Sequence, residues 1–83
     1  MTTWIEANLL TVEWQVMIST CTGNRCSHEH CLVSDIEYPN FAEAYEVARR
    51  EYEHGAPHVH MFPLDGSEFY LDIKSNGWTR EEL

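Results

Sequence analysis

The spacing of apolar residues between positions 40 and 55 predicts one amphipathic α-helix with a defined start and end. Asn40 is a suitable N-cap, and Glu43 follows it at the spacing of a capping box. Pro39 disfavours helical backbone at the residue before it, and Gly55 can take the left-handed conformation that closes a helix. A helix of this length needs a surface to pack on. Its predicted apolar side comprises Phe41, Ala44, Tyr45, Ala48 and Tyr52.

Apolar and polar residues alternate in four further segments, and this period of two predicts β-strands at residues 12–22, 32–38, 58–62 and 68–74. We expect the first two strands to form a hairpin with a long loop, and Asn76 and Gly77 to form a turn after the last strand. The tail from Trp78 onwards is expected to fray, with docking of Trp78 as the alternative. At the other end, residues near Trp4 are expected to form a short helical turn or an arm tucked against the core.

These elements predict an α+β fold in the order β-β-α-β-β, with a four-stranded, mostly antiparallel sheet and one helix covering one face. Its 83 residues correspond to a single domain, residues 1–83. We expect the helix to contribute Phe41, Tyr45, Ala48 and Tyr52 to the core. The sheet is expected to contribute Trp14, Val16, Ile36, Val59, Met61, Phe69 and Leu71.

The side of the sheet away from the helix is a candidate binding surface. One helix covers only one side, so the other side meets water or a partner, and carboxylates there surround aromatic and Met side chains. Such anchors in a polar surround are typical of interfaces, although ordinary cross-strand packing is the alternative interpretation. The predicted partner-binding residues are Glu13, Met17, Asp35, Glu37, His60, Glu68, Tyr70 and Asp72.

The charge of the chain narrows the class of partner. It carries 14 Asp and Glu against 5 Lys and Arg, a formal net charge of −9. We therefore expect no direct binding to nucleic acid or to membranes, and a basic protein partner, unless acidity only keeps the protein soluble. No apolar run is long enough to span a membrane, and no basic segment precedes the first apolar residues, so a cytoplasmic location is expected. A homodimer is compatible with the sequence.

A loop between the first two predicted strands holds the densest candidate chemistry. Its thiols and imidazoles are the ligands that zinc prefers, and Cys21, Cys26 and Cys31 with either His28 or His30 could complete a tetrahedral site. The spacing matches none of the common zinc patterns. A disulfide between Cys21 and Cys31, or free thiols with solvated histidines, are the alternatives. Apart from this zinc hypothesis, no cofactor is predicted.

Catalytic motifs are absent from the sequence: it has no Gly-rich phosphate loop, no Ser nucleophile elbow and no paired-carboxylate motif. His58 and His60 share one face of a predicted strand, where they could chelate a metal or simply titrate near neutral pH. We therefore expect a non-catalytic protein.

In size, acidity and order of elements, the chain resembles small phage-encoded inhibitor proteins of the anti-CRISPR type. The resemblance extends over the whole chain but carries no motif, so it transfers no functional residue. It implies an inhibitor that occupies a basic, nucleic-acid-binding surface of a larger protein in the host cell cytoplasm. The alternative function is a small zinc-binding or self-associating structural protein built on the Cys/His loop.

Overall fold

The computed structural model describes residues 4–19 and 32–83, with residues 32–34 described by their backbone alone. Among these residues the fold is α+β, as predicted, with one helix against a five-stranded antiparallel sheet in the order β2-β1-β3-β4-β5. After a short 3₁₀ helix, Ala7–Leu9, the elements are β1 Trp14–Ser19, β2 Leu32–Tyr38, α1 Phe41–Glu53, β3 His58–Pro63, β4 Phe69–Lys74 and β5 Gly77–Glu82.

The helix is confirmed, with the predicted cap. The Asn40 side-chain oxygen accepts a hydrogen bond from the Glu43 backbone N–H at 3.0 Å, and the Asn40 amide donates to the Glu43 carboxylate at 3.3 Å. After the helix, Gly55 has a φ of 99°, so the left-handed closing position is occupied by the residue that tolerates it best. The hairpin of β1 and β2 is also confirmed, although β1 begins at Trp14 and not at residue 12.

The prediction of four strands is wrong, because the tail forms a fifth strand. The turn lies at Ser75 and Asn76, and Gly77 begins β5 with a φ of 142°. Trp78 lies directly opposite Ile73 and is only 4% exposed, with its ring 5.4 Å from that of Phe41. Burial of this large side chain holds the tail against β4, so these residues do not fray.

The core lies between α1 and the central strands. Trp14 is fully buried; its indole N–H donates to the Leu9 carbonyl at 2.8 Å, and its ring meets that of Phe41 edge-on at 5.2 Å. The buried apolar residues around them include Val16, Ala44, Ala48, Val59, Met61, Phe69, Leu71, Ile73 and Trp78. Tyr45 and Tyr52 pack against this core but stay half-buried.

Ile36, which was expected in the core, is exposed, and so is Trp4, for which packing against the core was one of two alternatives. Ile36 is 56% exposed, because β2 is the outermost strand and α1 contacts chiefly β1 and β3. Trp4 is 67% exposed, so it is not tucked against the core. The core is therefore centred on β1, β3 and β4; on β2, Tyr38 packs against it whereas Ile36 is left largely uncovered.

Candidate functional site

The strand register brings six of the eight predicted partner-binding residues together in two neighbouring rows. Both rows run across the side of the sheet away from α1, which we call the outer face. The first row consists of Asp35, Met17, His60, Asp72 and Thr79, each directly opposite the next. The second row consists of Glu37, Gln15, Phe62, Tyr70 and Glu81.

The other two predicted residues lie just outside the paired segments. Glu13 precedes β1 and is exposed, and its carbonyl accepts a hydrogen bond from the Leu64 N–H at 2.9 Å. Glu68 precedes β4 and is exposed, and its carbonyl accepts from the Leu83 N–H at 3.1 Å. If the alternation of β1 and β4 is continued by one residue, it assigns both positions to the side of the outer face, at the ends of the two rows.

Three rings form an aromatic cluster at the centre of the outer face: His60, Phe62 and Tyr70. The Tyr70 ring lies 4.7 Å from that of His60 and 5.3 Å from that of Phe62, in tilted contacts. The His60 side chain is only 11% exposed, whereas Phe62 and Tyr70 are half-buried. Phe62 and Tyr70 therefore present the accessible apolar surface of this cluster, and His60 supports it from one side.

Asp72 lies beside the cluster in a mixed electrostatic environment. Its carboxylate is 3.1 Å from the Lys74 ammonium and 3.6 Å from Nε2 of His60. The Lys74 side chain is 40% exposed, and ion pairs open to water in this way typically contribute no more than about 1 kcal/mol to stability. Lys74 therefore offsets one carboxylate of the outer face without contributing much to the fold.

The remaining carboxylates of the outer face are not neutralised in this way. Within residues 4–19 and 32–83, no lysine or arginine forms an ion pair with the exposed side chains of Asp35 and Glu37 or with the flanking Glu13 and Glu68. Glu81 accepts only a 3.4 Å hydrogen bond from the Thr79 hydroxyl. Among the described residues, the outer face therefore presents negative charge on both sides of the aromatic cluster that no lysine or arginine offsets.

The helix surface differs, because its carboxylates alternate with arginines. Glu46 pairs with Arg50 at 3.3 Å, and Glu53 pairs with Arg49 at 3.8 Å, both with the spacing of one helical turn. These pairs partly cancel the charge that the sequence places on the helix. The outer face is consequently the better candidate for recognition of a cation-rich surface.

The environment of Tyr70 favours its neutral phenol. Partial burial raises the Tyr70 pKa above its ordinary value, and the nearby carboxylates of Glu81 and Asp72 raise it further. At neutral pH the phenol therefore keeps its proton and can donate a hydrogen bond to a partner. An aromatic ring with such a polar tip is well suited to an interface.

Sequence reasoning missed Thr79 and Glu81, because it assigned the tail to a frayed end. The signal was present in the Asn76-Gly77 pair that directly follows a strand, since this pair commonly joins two strands of a hairpin. Gln15 also lies in the second row, and it was not among the predicted site residues. Its side-chain amide donates to the Asp35 carbonyl at 3.2 Å and so ties β1 to β2 across the outer face.

The predicted metal ligands Cys21, Cys26, His28 and Cys31 lie outside the described residues, as does His30. Among the described residues, no group of three or more His, Cys, Asp or Glu side chains is placed to hold a metal ion. The zinc hypothesis therefore stays a prediction from the sequence. Metal analysis of protein purified without chelator tests it: about one equivalent of zinc, and a lower melting temperature after chelation, are expected if it is right.

Comparisons of the chain with protein-family models, with curated proteins and with solved structures returned no match. In the described part of the chain, no helix combines the length and the apolar character that crossing a membrane requires. We therefore derive the function from the geometry and charge of the outer face.

Proposed function

We propose that this protein is a non-catalytic binding module whose outer face docks on a basic surface of a larger protein. One observation carries the proposal: the half-buried rings of Phe62 and Tyr70 lie between carboxylates that have no lysine or arginine partner among the described residues. Aromatic anchors within a charged surround are typical of specific protein interfaces.

The two kinds of group have different roles in binding. Phe62 and Tyr70 supply apolar area at the centre, where truncation of an aromatic side chain is most damaging to affinity. Asp35 and Glu37 on one side and Glu81 on the other attract a basic surface, speed association and fix the orientation of the partner. Affinity should therefore depend on the rings, whereas the association rate should depend on the carboxylates.

The partner class follows from this charge pattern. Surfaces rich in lysine and arginine are the usual means of binding nucleic-acid backbones, so an acidic face can occupy them with carboxylates in place of phosphates. We therefore propose that the protein inhibits a nucleic-acid-binding protein in the host cell cytoplasm, in the manner of the anti-CRISPR-type inhibitors that it resembles. The inhibition would be competitive with nucleic acid.

Competition is the experiment that tests this proposal. Heparin-binding proteins from a bacterial lysate are passed over the immobilised protein and over a Tyr70→Ala control, and proteins retained only by the parent are identified. We expect a retained protein that binds nucleic acid, and we expect added DNA or RNA to displace it. Retention that is equal on both surfaces, or that excess nucleic acid leaves unchanged, would contradict the proposal.

A further inference from the structure

The edge of β2 is a second surface with the features of a binding site. Within residues 4–19 and 32–83, β2 pairs with β1 on one side and with no strand on the other. An edge strand presents backbone N–H and C=O groups that can pair with a further strand. The opposite edge, β5, is protected by Arg80, which turns inward to lie 3.8 Å over the Phe69 ring and pairs with Glu6 at 3.3 Å.

The side chains of β2 show what kind of strand fits there. Ile36 is 56% exposed on the helical side, so an apolar residue opposite it would cover surface that α1 leaves uncovered. Asp35 and Glu37 point to the outer face, are exposed, and have no ion-pair partner among the described residues. Basic residues opposite these two would complete pairs of opposite charge across the strands.

The same carboxylates disfavour a second copy of this chain. If two β2 strands paired antiparallel around Ile36, Asp35 of each copy would lie opposite Glu37 of the other. Like charges directly opposite each other are destabilising. A shift in the register of the two β2 strands that brings Asp35 of one copy opposite Asp35 of the other also places like charges together. The edge is therefore guarded against self-association while it stays suited to a basic strand.

We propose that β2 accepts an extended segment of the basic partner as an additional antiparallel strand, with the pattern basic–apolar–basic. Its two basic side chains lie opposite Glu37 and Asp35, and its apolar side chain lies opposite Ile36. Backbone hydrogen bonds supply affinity, and the alternating side chains supply specificity. This inference rests on the proposed function for the basic character of the partner, but it assigns the contact to the sheet edge.

Backbone methylation tests strand addition directly. The probe is a short synthetic peptide that alternates lysine with valine and is blocked at both ends. Because only alternate N–H groups of an edge strand face its neighbour, we expect N-methylation of one alternate set to lower affinity by about tenfold or more, and methylation of the other set to change it little. Equal affinities of the two methylated peptides would show that charge alone holds the probe, and would overturn the inference.

Substitutions in the protein provide the complementary test. Ile36→Lys replaces the apolar contact with the valine opposite by a charge, and adds positive charge at the edge that receives a basic strand. It should weaken binding of the unmethylated peptide by about tenfold, whereas the charge-removing control Glu53→Gln on the helix should change the affinity less than about twofold. Ile36 is exposed, so an unchanged melting temperature is expected to confirm that the variant folds. Unchanged peptide binding by Ile36→Lys would overturn the inference.

The inference and the proposed function fail in different ways. If Ile36→Lys retains the captured nucleic-acid-binding protein while Tyr70→Ala loses it, the edge is not used but the outer face is. If the parent protein sediments as a dimer that Ile36→Lys dissociates, the edge is occupied by a second copy and the inference is wrong. We expect both Ile36→Lys and Tyr70→Ala to lose the captured protein, and the two methylated peptides to differ in affinity.

Discussion

At the scale of single residues, Phe41 joins the helix to both halves of the sheet. Its ring meets Trp14 at 5.2 Å and Trp78 at 5.4 Å, each edge-on, and stacks on Tyr45 at 5.7 Å. Aromatic pairs of this geometry contribute roughly 0.5–1.5 kcal/mol each beyond the apolar area that they bury. Phe41 is therefore the side chain whose loss should most weaken the contact between α1 and the sheet.

We expect Phe41→Ala to lower the free energy of unfolding by roughly 3–5 kcal/mol, because it leaves a cavity among three aromatic rings. Chemical denaturation measures this change. The matched control is Trp4→Ala, which removes a larger side chain that is 67% exposed and should change stability by less than about 0.5 kcal/mol. If Phe41→Ala lowers the free energy of unfolding by less than about 1 kcal/mol, Phe41 does not pack between α1 and the sheet as described.

Titration of Tyr70 reports on the outer face. Since burial and the Glu81 and Asp72 carboxylates raise the Tyr70 pKa, folding favours the neutral phenol. This contribution is complete below the ordinary tyrosine pKa of about 10 and is lost as pH rises through the raised value, so stability should fall at alkaline pH. In a ring-resolved NMR titration, Glu81→Gln should lower the Tyr70 pKa. A pKa that Glu81→Gln leaves unchanged would contradict the placement of β5 beside Tyr70.

Burial of Trp14 and Phe41 could be predicted from the sequence, because each lies on the apolar side of a regular pattern. Exposure of Ile36 could not, although its position in the alternation of β2 is the same as that of Val16 in β1. Its burial depends on which strands α1 covers, and this is decided by strand order and helix placement in three dimensions. Asp35 and Glu37 were assigned correctly to the outer face, because the face on which a strand residue lies follows from the alternation alone.

At the scale of elements, the helix and four strands follow from local patterns, and the fifth strand does not. The helix has a cap at Asn40 and a closing glycine at Gly55, both of which can be recognised in sequence. In β5, by contrast, the Asn76-Gly77 pair signals a turn before the segment, but the segment itself does not read as a strand. The buried Trp78 is followed by Thr79 and charged residues, and this pattern is too short to distinguish a strand from a tail. Pairing with β4 and packing of Trp78 on Phe41 decide the outcome.

The cap of α1 gives a prediction at this scale. Asn40→Ala removes the acceptor for the Glu43 N–H and should lower stability by about 1 kcal/mol, whereas Asn40→Gly should lower it by only a few tenths. Thermal or chemical unfolding of the two variants measures the difference. If both substitutions leave stability almost unchanged, the hydrogen bond from the Glu43 N–H to the Asn40 side chain does not stabilise the helix start.

At the scale of the whole molecule, the distribution of charge separates the two surfaces. Arg49 and Arg50 pair with helix carboxylates, and Arg80 lies on the helical side of the sheet. Among the described residues, Lys74 is therefore the only lysine or arginine on the outer face. This asymmetry, together with the rings of Phe62 and Tyr70, is the reason why we propose the outer face as the binding surface. The net charge of the sequence predicts a basic partner, and the choice of one side for it rests on the folded arrangement.

The central claim is that the outer face binds a basic protein. It is tested most directly by the affinity of the captured protein for the parent and for two variants, each measured at low and at high salt. We expect Tyr70→Ala to weaken binding by about tenfold or more, and Glu46→Lys on the helix to weaken it only a few-fold, because a central aromatic ring contributes more than an exposed peripheral charge. Parental affinity should fall steeply with salt, mainly through slower association. A larger loss from Glu46→Lys, or binding that salt leaves unchanged, would contradict the assignment of a charge-directed interface to the outer face.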